Sequence, residues 1–366
     1  MKILVTGSSG FIGRNLTFLL KENGYEVLTY DIDNKEEELI SDIDACDFII
    51  HLAGVNRPLN NEEFYNVNTN LTVKIVDLIK KSNKSIPIIF ASSIQAELDN
   101  DYGKSKLLAE NYLLNSNLPV AIYRLYNVYG KYCRPNYNSV VATFCYNIAN
   151  NLDIKISDED KIIRFNYVDD VCHEFIRAIE NKYYLESNIR YVSPYDECSL
   201  GRLAHLIYYF KDSVKSDRHL PVLHDEFEFK LFKTFLSYLR DDGYHYNYAS
   251  NEKGYFEELY KSKDFGQISD NFIKSGVTKG GHYHQYKKEI FYTVVGETVI
   301  RQRNIDTDEM IISHSSLKDG GFIDIIPNFT HDITSLNGDS HTLMWISEIY
   351  DEESPDTYKE EVVKAL

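Results

Sequence analysis

Four groups of residues have types and spacings that can do chemistry. Val5-Thr-Gly-Ser-Ser-Gly-Phe-Ile-Gly13 places glycines at 7, 10 and 13 straight after an apolar run. Glycine permits a tight turn and close approach of backbone to a pyrophosphate, and a helix opening at Phe11, Ile12 and Arg14 offers unpaired N–H groups to phosphate. Asp31 ends the next apolar run, where its carboxylate can bond ribose hydroxyls. Further on, Tyr102 and Lys106 share a helical face, so an ammonium beside the phenol would lower its pKa from about 10 towards the working range. Tyr102 can then give a proton to a carbonyl oxygen as hydride reaches carbon. Near the C-terminal end, His282 and His284 are two apart, which on a strand turns both to one side, and Glu289 can add a carboxylate from the next strand. Arg301 and Arg303 also share a strand face and can meet a diphosphate.

Two kinds of element must position these groups. Apolar runs at 2–6, 25–30, 47–53, 86–93 and 119–126 alternate with helical patterns near 11–23, 62–81 and 102–115, the mark of βαβ units and a parallel sheet. After Asp169 the pattern turns mainly helical, over 171–180, 200–210 and 227–239, as suits a lobe covering a substrate. The polar stretch 240–254 breaks that period. Beyond it, short β-branched or aromatic runs at 291–295, 298–303, 310–314 and 322–326 are separated by Gly, Asn and Asp turns. The expectation is an α/β doubly wound parallel sheet over 1–243 and an all-β domain over 244–366.

Length and charge narrow the function. A chain of 366 residues suits two cores, since single cores stop growing near about 250–300 residues. With 56 acidic and 39 basic residues the net charge is -17, which argues against a nucleic-acid partner and for small-molecule chemistry. No apolar stretch is long enough for a membrane span, and Met1 leads directly into a strand-like run, so a cytoplasmic protein is expected. The five cysteines, 46, 133, 145, 172 and 198, are odd in number and widely spaced, which predicts buried thiols.

The first 180 residues resemble the extended short-chain dehydrogenase/reductases. The resemblance rests on the GxxGxxG spacing, His51-Leu-Ala-Gly54, the pair Ser92-Ser93, Tyr102-Gly-Lys-Ser-Lys106, Arg124-Leu-Tyr-Asn-Val-Tyr-Gly130 and Asn166-Tyr-Val-Asp-Asp170. It implies that Leu52, Ala53 and Gly54 line the adenine side of NAD(P), that Ser93 bonds the same oxygen as Tyr102, and that Lys106 holds the nicotinamide ribose. It further implies a supporting role for Asn68 and a nucleotide-sugar site at Arg134, Asn138 and Ser139. Asp31 favours NADH, whereas Arg14 or Lys35 can receive the extra phosphate of NADPH, the expected cofactor.

Gly276 to Gly296 resembles the cupins, with glycine, five residues, HxH, four residues, Glu, six residues and glycine. That implies a fourth ligand after a proline turn, His331 in Pro327-Asn-Phe-Thr-His331, although the turn is one residue short and lacks the usual glycine. Three His and one carboxylate suit Zn2+, with Fe2+, Mn2+ or Ni2+ as alternatives. His314 and His341 lie outside this register.

Reductase followed by cupin resembles the CapF family of bifunctional capsular polysaccharide enzymes and their O-antigen relatives. Val55-Asn-Arg-Pro58, Ser93-Ile-Gln-Ala96, Lys131 to Val140, Ala142-Thr-Phe-Cys-Tyr146 and Ile273 to Gly280 also carry that match. It implies a UDP-2-acetamido-2,6-dideoxy-4-hexulose substrate, epimerised at C3 in the cupin and reduced at C4 with NADPH. The product would be UDP-N-acetyl-6-deoxy-L-talosamine, towards UDP-N-acetyl-L-fucosamine, made by a homodimer. Tyr283, Tyr292 and His341 are candidate epimerisation bases. Two alternatives stand: a 4,6-dehydratase or 4-epimerase with a non-catalytic cupin, and a non-enzymatic NAD(P)-sensing scaffold.

Overall fold

The computed structural model describes every residue except 59, 182–185, 217–218, 240–247 and 364–366. The chain divides into two compact units, one of Met1–Tyr208 with His224–Arg240, the other of Tyr209–Leu223 with Asp241–Leu366. The boundary expected between 243 and 244 lies outside the described residues.

In the first unit the apolar runs form β1 (Lys2–Thr6), β2 (Glu26–Tyr30), β3 (Phe48–His51), β4 (Ile88–Ser93) and β5 (Val120–Leu125). Then come β6 (Asn127–Tyr129), β7 (Ile162–Tyr167), β8 (Glu186–Arg190) and β9 (Asp196–Ser199). The main sheet runs β2-β1-β3-β4-β5-β8, with every pair parallel. Strand residues alternate between faces. Ile3 and Val5 pack with Leu16 and Leu20 of the helix Phe11–Glu22, while Leu4 packs in the other cluster with Ile75 and Ile79 of the helix Leu71–Lys81. Both faces are thereby covered, as a parallel sheet requires. The direction of strand order reverses at β1 and β3, so a crevice opens beyond their carboxyl ends, the place where such sheets bind ligands.

Two details depart from the sequence reading. The helical pattern expected over 62–81 begins as a π-helical stretch, Phe64–Asn70, before the helix Leu71–Lys81. The stretch after Asp169 also supplies β8, an edge strand of the main sheet, and β9, whose runs of 5 and 4 residues are too short to show a clear period of two.

The second unit is all β. Its strands are β10 (Tyr248–Asn251), β11 (Gly254–Ser262), β12 (Gly266–Ile273), β13 (Thr278–Tyr283), β14 (Glu289–Val295) and β15 (Glu297–Asn304). They continue as β16 (Met310–Ser316), β17 (Ile323–Ile325), β18 (Phe329–Ser335), β19 (Ser340–Ile346) and β20 (Tyr358–Lys359). One antiparallel sheet runs β10-β11-β12-β19-β14-β17 and the other β16-β15-β18-β13-β20. Ile273, Phe291 and Met344 from the first pack with Ile300 and Ile333 from the second, so the core lies between the sheets. On β14 the alternation buries Glu289, Phe291 and Thr293 on one face, which turns a carboxylate into that interior.

Candidate functional sites

The glycine loop closes between β1 and its helix because only glycine fits there. Gly7 has φ +71°, and a Cβ on it would lie 2.7 Å from the Ala53 backbone nitrogen; one on Gly13 would lie 2.2 Å from the Gly7 carbonyl. The helix begins after Gly10 with no side-chain cap, leaving its first N–H groups directed at the loop. Such a cradle, which any Cβ would fill, fits a dinucleotide pyrophosphate.

A cavity of about 690 Å3 runs from this loop to the catalytic candidates. Gly7, Gly10, Phe11, Ile12, Gly13 and Arg14 line it, as do Ser93, Tyr102 and Lys106 together with Leu52 and Gly54. Arg134, Asn138 and Ser139 line it as well. Ala53, Asp31 and Asn68 do not. Ala53 backs onto Gly7. Asp31 is turned to the loop itself, where Oδ2 accepts from the Ser9 N–H at 3.0 Å, the Ser9 hydroxyl at 2.9 Å and the Ser8 hydroxyl. Arg14 anchors Nε on the Ser9 carbonyl at 2.9 Å and is otherwise exposed.

Asn68 is fully buried and acts on the backbone. Its Oδ1 accepts from the Val55 N–H at 2.8 Å, and its Nδ2 donates to the Val55 carbonyl and the Ser105 hydroxyl, each at 3.0 Å. It fixes the segment after Gly54, where a Cβ would come within 3.1 Å of Lys106 Nζ. His51, in the segment expected beside adenine, bridges Thr6 and Thr72 at 2.6 and 2.9 Å, and burial pushes its pKa down to about 3.

Tyr102 and Lys106 correct one expectation. Burial raises the Tyr102 pKa, with a hydrogen bond from Ser93 opposing it, and the ammonium does not bring it down. Lys106 lies 4 % exposed, donates to the Ala91 carbonyl at 3.0 Å and sits 4.8 Å over the Phe90 ring. Burial, opposed by the Glu110 carboxylate, lowers its own pKa to about 8. Desolvation dominates because Lys106 is buried and Tyr102 half-buried in the cavity wall, rather than on the solvated helix face that the spacing alone describes.

Sequence reasoning did not single out Tyr126, Tyr132 or Tyr137, which also line this cavity. The Tyr137 ring has two guanidinium groups near it, Arg134 at 5.1 Å and Arg57 at 5.9 Å. The segments 124–130 and 131–140 that carried the family resemblance contained these residues, but tyrosine is too frequent in this chain, at 29 copies, for one to stand out.

The second unit holds a separate cavity of about 750 Å3, lined by His282, His284, Glu289 and His331. Ligand-capable atoms of the three histidines all lie within 4.8 Å of one another. Glu289 Oε2 is 3.4 Å from His284 Nε2 and 3.2 Å from His331 Nε2. The short proline turn does not withdraw His331. Asn328 takes φ +63°, a conformation Asn tolerates better than most residues, and stands where a glycine would be expected.

Hydrogen bonds set the histidine tautomers. A carbonyl only accepts, so Nδ1 of His284 donates to Asp356 O at 2.5 Å and Nδ1 of His331 to Phe329 O at 3.3 Å. Each Nε2 therefore presents a lone pair to the cavity. His284 Nε2 and Glu289 Oε2 are buried without a hydrogen bond. Lone pairs of several nitrogens and a carboxylate converging this closely can hold a cation, and the donor set fits zinc. Burial pushes the His282 pKa down to about 4, towards the neutral, ligating form, whereas at His284 burial is outweighed by the Glu289 carboxylate, which raises its pKa.

Other expectations here are corrected. Tyr283, Tyr292 and His341 do not line the metal cavity: Tyr283 stacks on Tyr358, Tyr292 on Phe322, and His341 binds Asp270 at 2.9 Å. Arg301 pairs in a bidentate manner with Asp332 at 2.8 and 2.6 Å, and Arg303 is 4 % exposed and spent on the C-terminal segment, so neither is free for a diphosphate. Glu258, Gln267, Asn271 and Lys279 line the cavity unannounced by any spacing. The five cysteines are buried and free, and no helix among the described residues is long and apolar enough to cross a membrane.

Comparison with known proteins agrees with this division. Residues 3–192 match the NAD dependent epimerase/dehydratase family, and residues 249–358 match the polysaccharide biosynthesis C-terminal domain. The chain is 39% identical over 366 residues to the UDP-2-acetamido-2,6-beta-L-arabino-hexul-4-ose reductase of Pseudomonas aeruginosa, covering 98% of each. It is 41% identical to the crystal structure of capsular polysaccharide assembling protein CapF from Staphylococcus aureus, covering 99% of this chain and 100% of that one, with a TM-score of 0.90. A structure of CapF with the inhibitor 3-isopropenyl-tropolone is similar at 38% identity and a TM-score of 0.84, again covering 99% and 100%. The chain belongs to the NAD dependent epimerase/dehydratase family, as a CapF-like member in which a Rossmann unit precedes a polysaccharide biosynthesis C-terminal domain.

Proposed function

We propose that the protein reduces the C4 ketone of a UDP-2-acetamido-2,6-dideoxy-4-hexulose with NADPH in the first unit and epimerises C3 in the cupin-like second unit. The observation that supports this best is one cavity joining the glycine cradle, Ser93-Tyr102-Lys106 and Arg134-Asn138-Ser139, in a chain whose Pseudomonas aeruginosa relative is a reductase of such a sugar. Bound nicotinamide supplies the hydride. Ser93 orients the ketone oxygen by hydrogen bonding, and Tyr102 Oη transfers its proton to that oxygen as the C4–H bond forms, leaving an alcohol. Raised above its usual pKa, Tyr102 is protonated before the reaction and needs only resupply afterwards. Lys106 then holds the ribose side of the site.

His282, His284, His331 and Glu289 would hold zinc. When bound, zinc polarises a carbonyl as a Lewis acid, which acidifies the neighbouring C–H. Epimerisation before reduction follows from chemistry, since C3–H is acidic only while C4 is a ketone. Tropolones carry adjacent keto and hydroxyl oxygens, a chelating pair, and one such compound is an inhibitor of the CapF protein. The product is UDP-N-acetyl-6-deoxy-L-talosamine. The test is NMR of products from UDP-4-keto sugars of defined C2, C3 and C5 configuration incubated with NADPH. The talo product from the expected substrate supports the assignment; turnover of only other sugars overturns it.

A further inference from the structure

After Ile346 the chain leaves the sheets, and from Asp351 to Lys359 it is exposed or half-buried, with β20 only two residues long. Such a segment adds little to the apolar core. Its polar contacts converge on the histidine cluster instead. The Asp356 carbonyl accepts from His284 Nδ1 at 2.5 Å, and the Asp356 carboxylate accepts from the backbone N–H groups of Gln285, Tyr286 and Lys287 at 3.0, 2.9 and 2.9 Å. Lys287 Nζ donates back to the Pro355 carbonyl. The two residues of β20 pair with the HxH strand itself, Lys359 opposite His282 and Tyr358 opposite Tyr283. The Thr330 hydroxyl, one residue before His331, donates to the Glu360 carbonyl. All three histidines are thus tied, directly or through a neighbour, to the same eight residues.

The far end of the segment is anchored by Arg303. Its Nε donates to the Val362 carbonyl at 2.9 Å, and Nη2 donates to Glu360 Oε1 at 2.7 Å and to the Glu361 carbonyl at 2.9 Å. Val362 is 1 % exposed, the apolar plug of an otherwise solvated stretch.

We infer that Pro355–Val362 is a positioning strap for the metal site, with Asp356 and Arg303 as its two anchors. The inference rests on the metal reading above and extends it to residues that touch no metal. Groups that orient ligating histidines set metal affinity by about 10–100-fold, whereas an exposed tail that merely packs would change melting without changing affinity.

The test uses the full-length protein. Zinc affinity is measured by competition with a chromophoric chelator for wild type, Asp356→Ala and Arg303→Gln, alongside metal-free melting. Backbone hydrogen exchange over 355–362 is followed with and without zinc. The strap predicts at least about tenfold weaker zinc binding in both variants, with metal-free melting of the second unit retained. By reciprocity of linkage, zinc also slows exchange over 355–362 in the wild type. Zinc affinities within twofold of wild type, whether or not melting falls, overturn the strap while leaving the metal reading standing. A wild type that takes up no zinc overturns both.

Discussion

Lys106 Nζ lies 3.0 Å from the Ala91 carbonyl, buried beneath the loop that carries Gly54, and not out on a solvated helix face beside Tyr102. In that position burial, opposed by Glu110, brings its pKa to about 8. The lowered value is that of a base, so the ammonium is complete at pH values well below 8 and is lost as pH rises through it. Tyr102 moves the other way, upward, and stays a proton donor over the same range.

The reductive kcat/KM should therefore be level below about pH 7 and fall above about pH 8 as Lys106 deprotonates. The profile with a saturating coenzyme reads this directly. A plateau continuing to pH 9.5 would contradict the assignment of the ammonium to the active form.

Coenzyme choice turns on Asp31 and Arg14. Asp31 is occupied by the Ser8 and Ser9 donors, while Arg14, among the described residues, has only its Nε hydrogen-bonded. We expect NADPH to be preferred, and Arg14→Ala to reduce the NADPH-to-NADH ratio of kcat/KM by about tenfold through loss of a charge-assisted bond to phosphate. Equal loss with both coenzymes, or a wild type favouring NADH tenfold, would refute this.

For the metal site we expect about one zinc per chain. Binding to the folded form alone stabilises by about 4 kcal/mol when zinc is a thousandfold above its Kd, so His282→Ala or chelation should lower the melting temperature of the second unit and stop deuterium exchange at C3. Reduction of a ketone already carrying the product C3 configuration should survive. Protein purified without chelator that contains no transition metal, yet exchanges C3 normally, would refute the metal's part in epimerisation.

What the sequence revealed followed from period and spacing. The strands β1 to β5 and the loop Gly7–Gly13 were legible because long apolar runs and glycine triplets are local signals. His282, His284 and Glu289 were legible for the same reason. Hidden were β8 and β9, too short for a period, and the whole β11–β12 face that brings Glu258, Gln267 and Asn271 into the metal cavity. Gln267 and Asn271 on β12, with Glu258 on neighbouring β11, share a sheet with Glu289 through the pairing of β12 with β19 and of β19 with β14, whereas His282 and His331 come from the facing sheet. The direction of the Tyr102 shift was misjudged because spacing shows which charges are near but not how deeply a group is buried. The diphosphate role for Arg301 and Arg303 failed similarly: Asp332 and the C-terminal segment, far apart in sequence, had claimed both.

The separation of two half-reactions between the units is tested most directly by Tyr102→Phe, incubated with the UDP-4-keto sugar and NADPH in deuterium oxide. Loss of the phenolic proton should cut NADPH oxidation by at least about a hundredfold, within the usual range for a general acid, while deuterium enters C3 at the wild-type rate. Loss of C3 deuterium uptake together with NADPH oxidation would contradict the account and place epimerisation at the Tyr102 site.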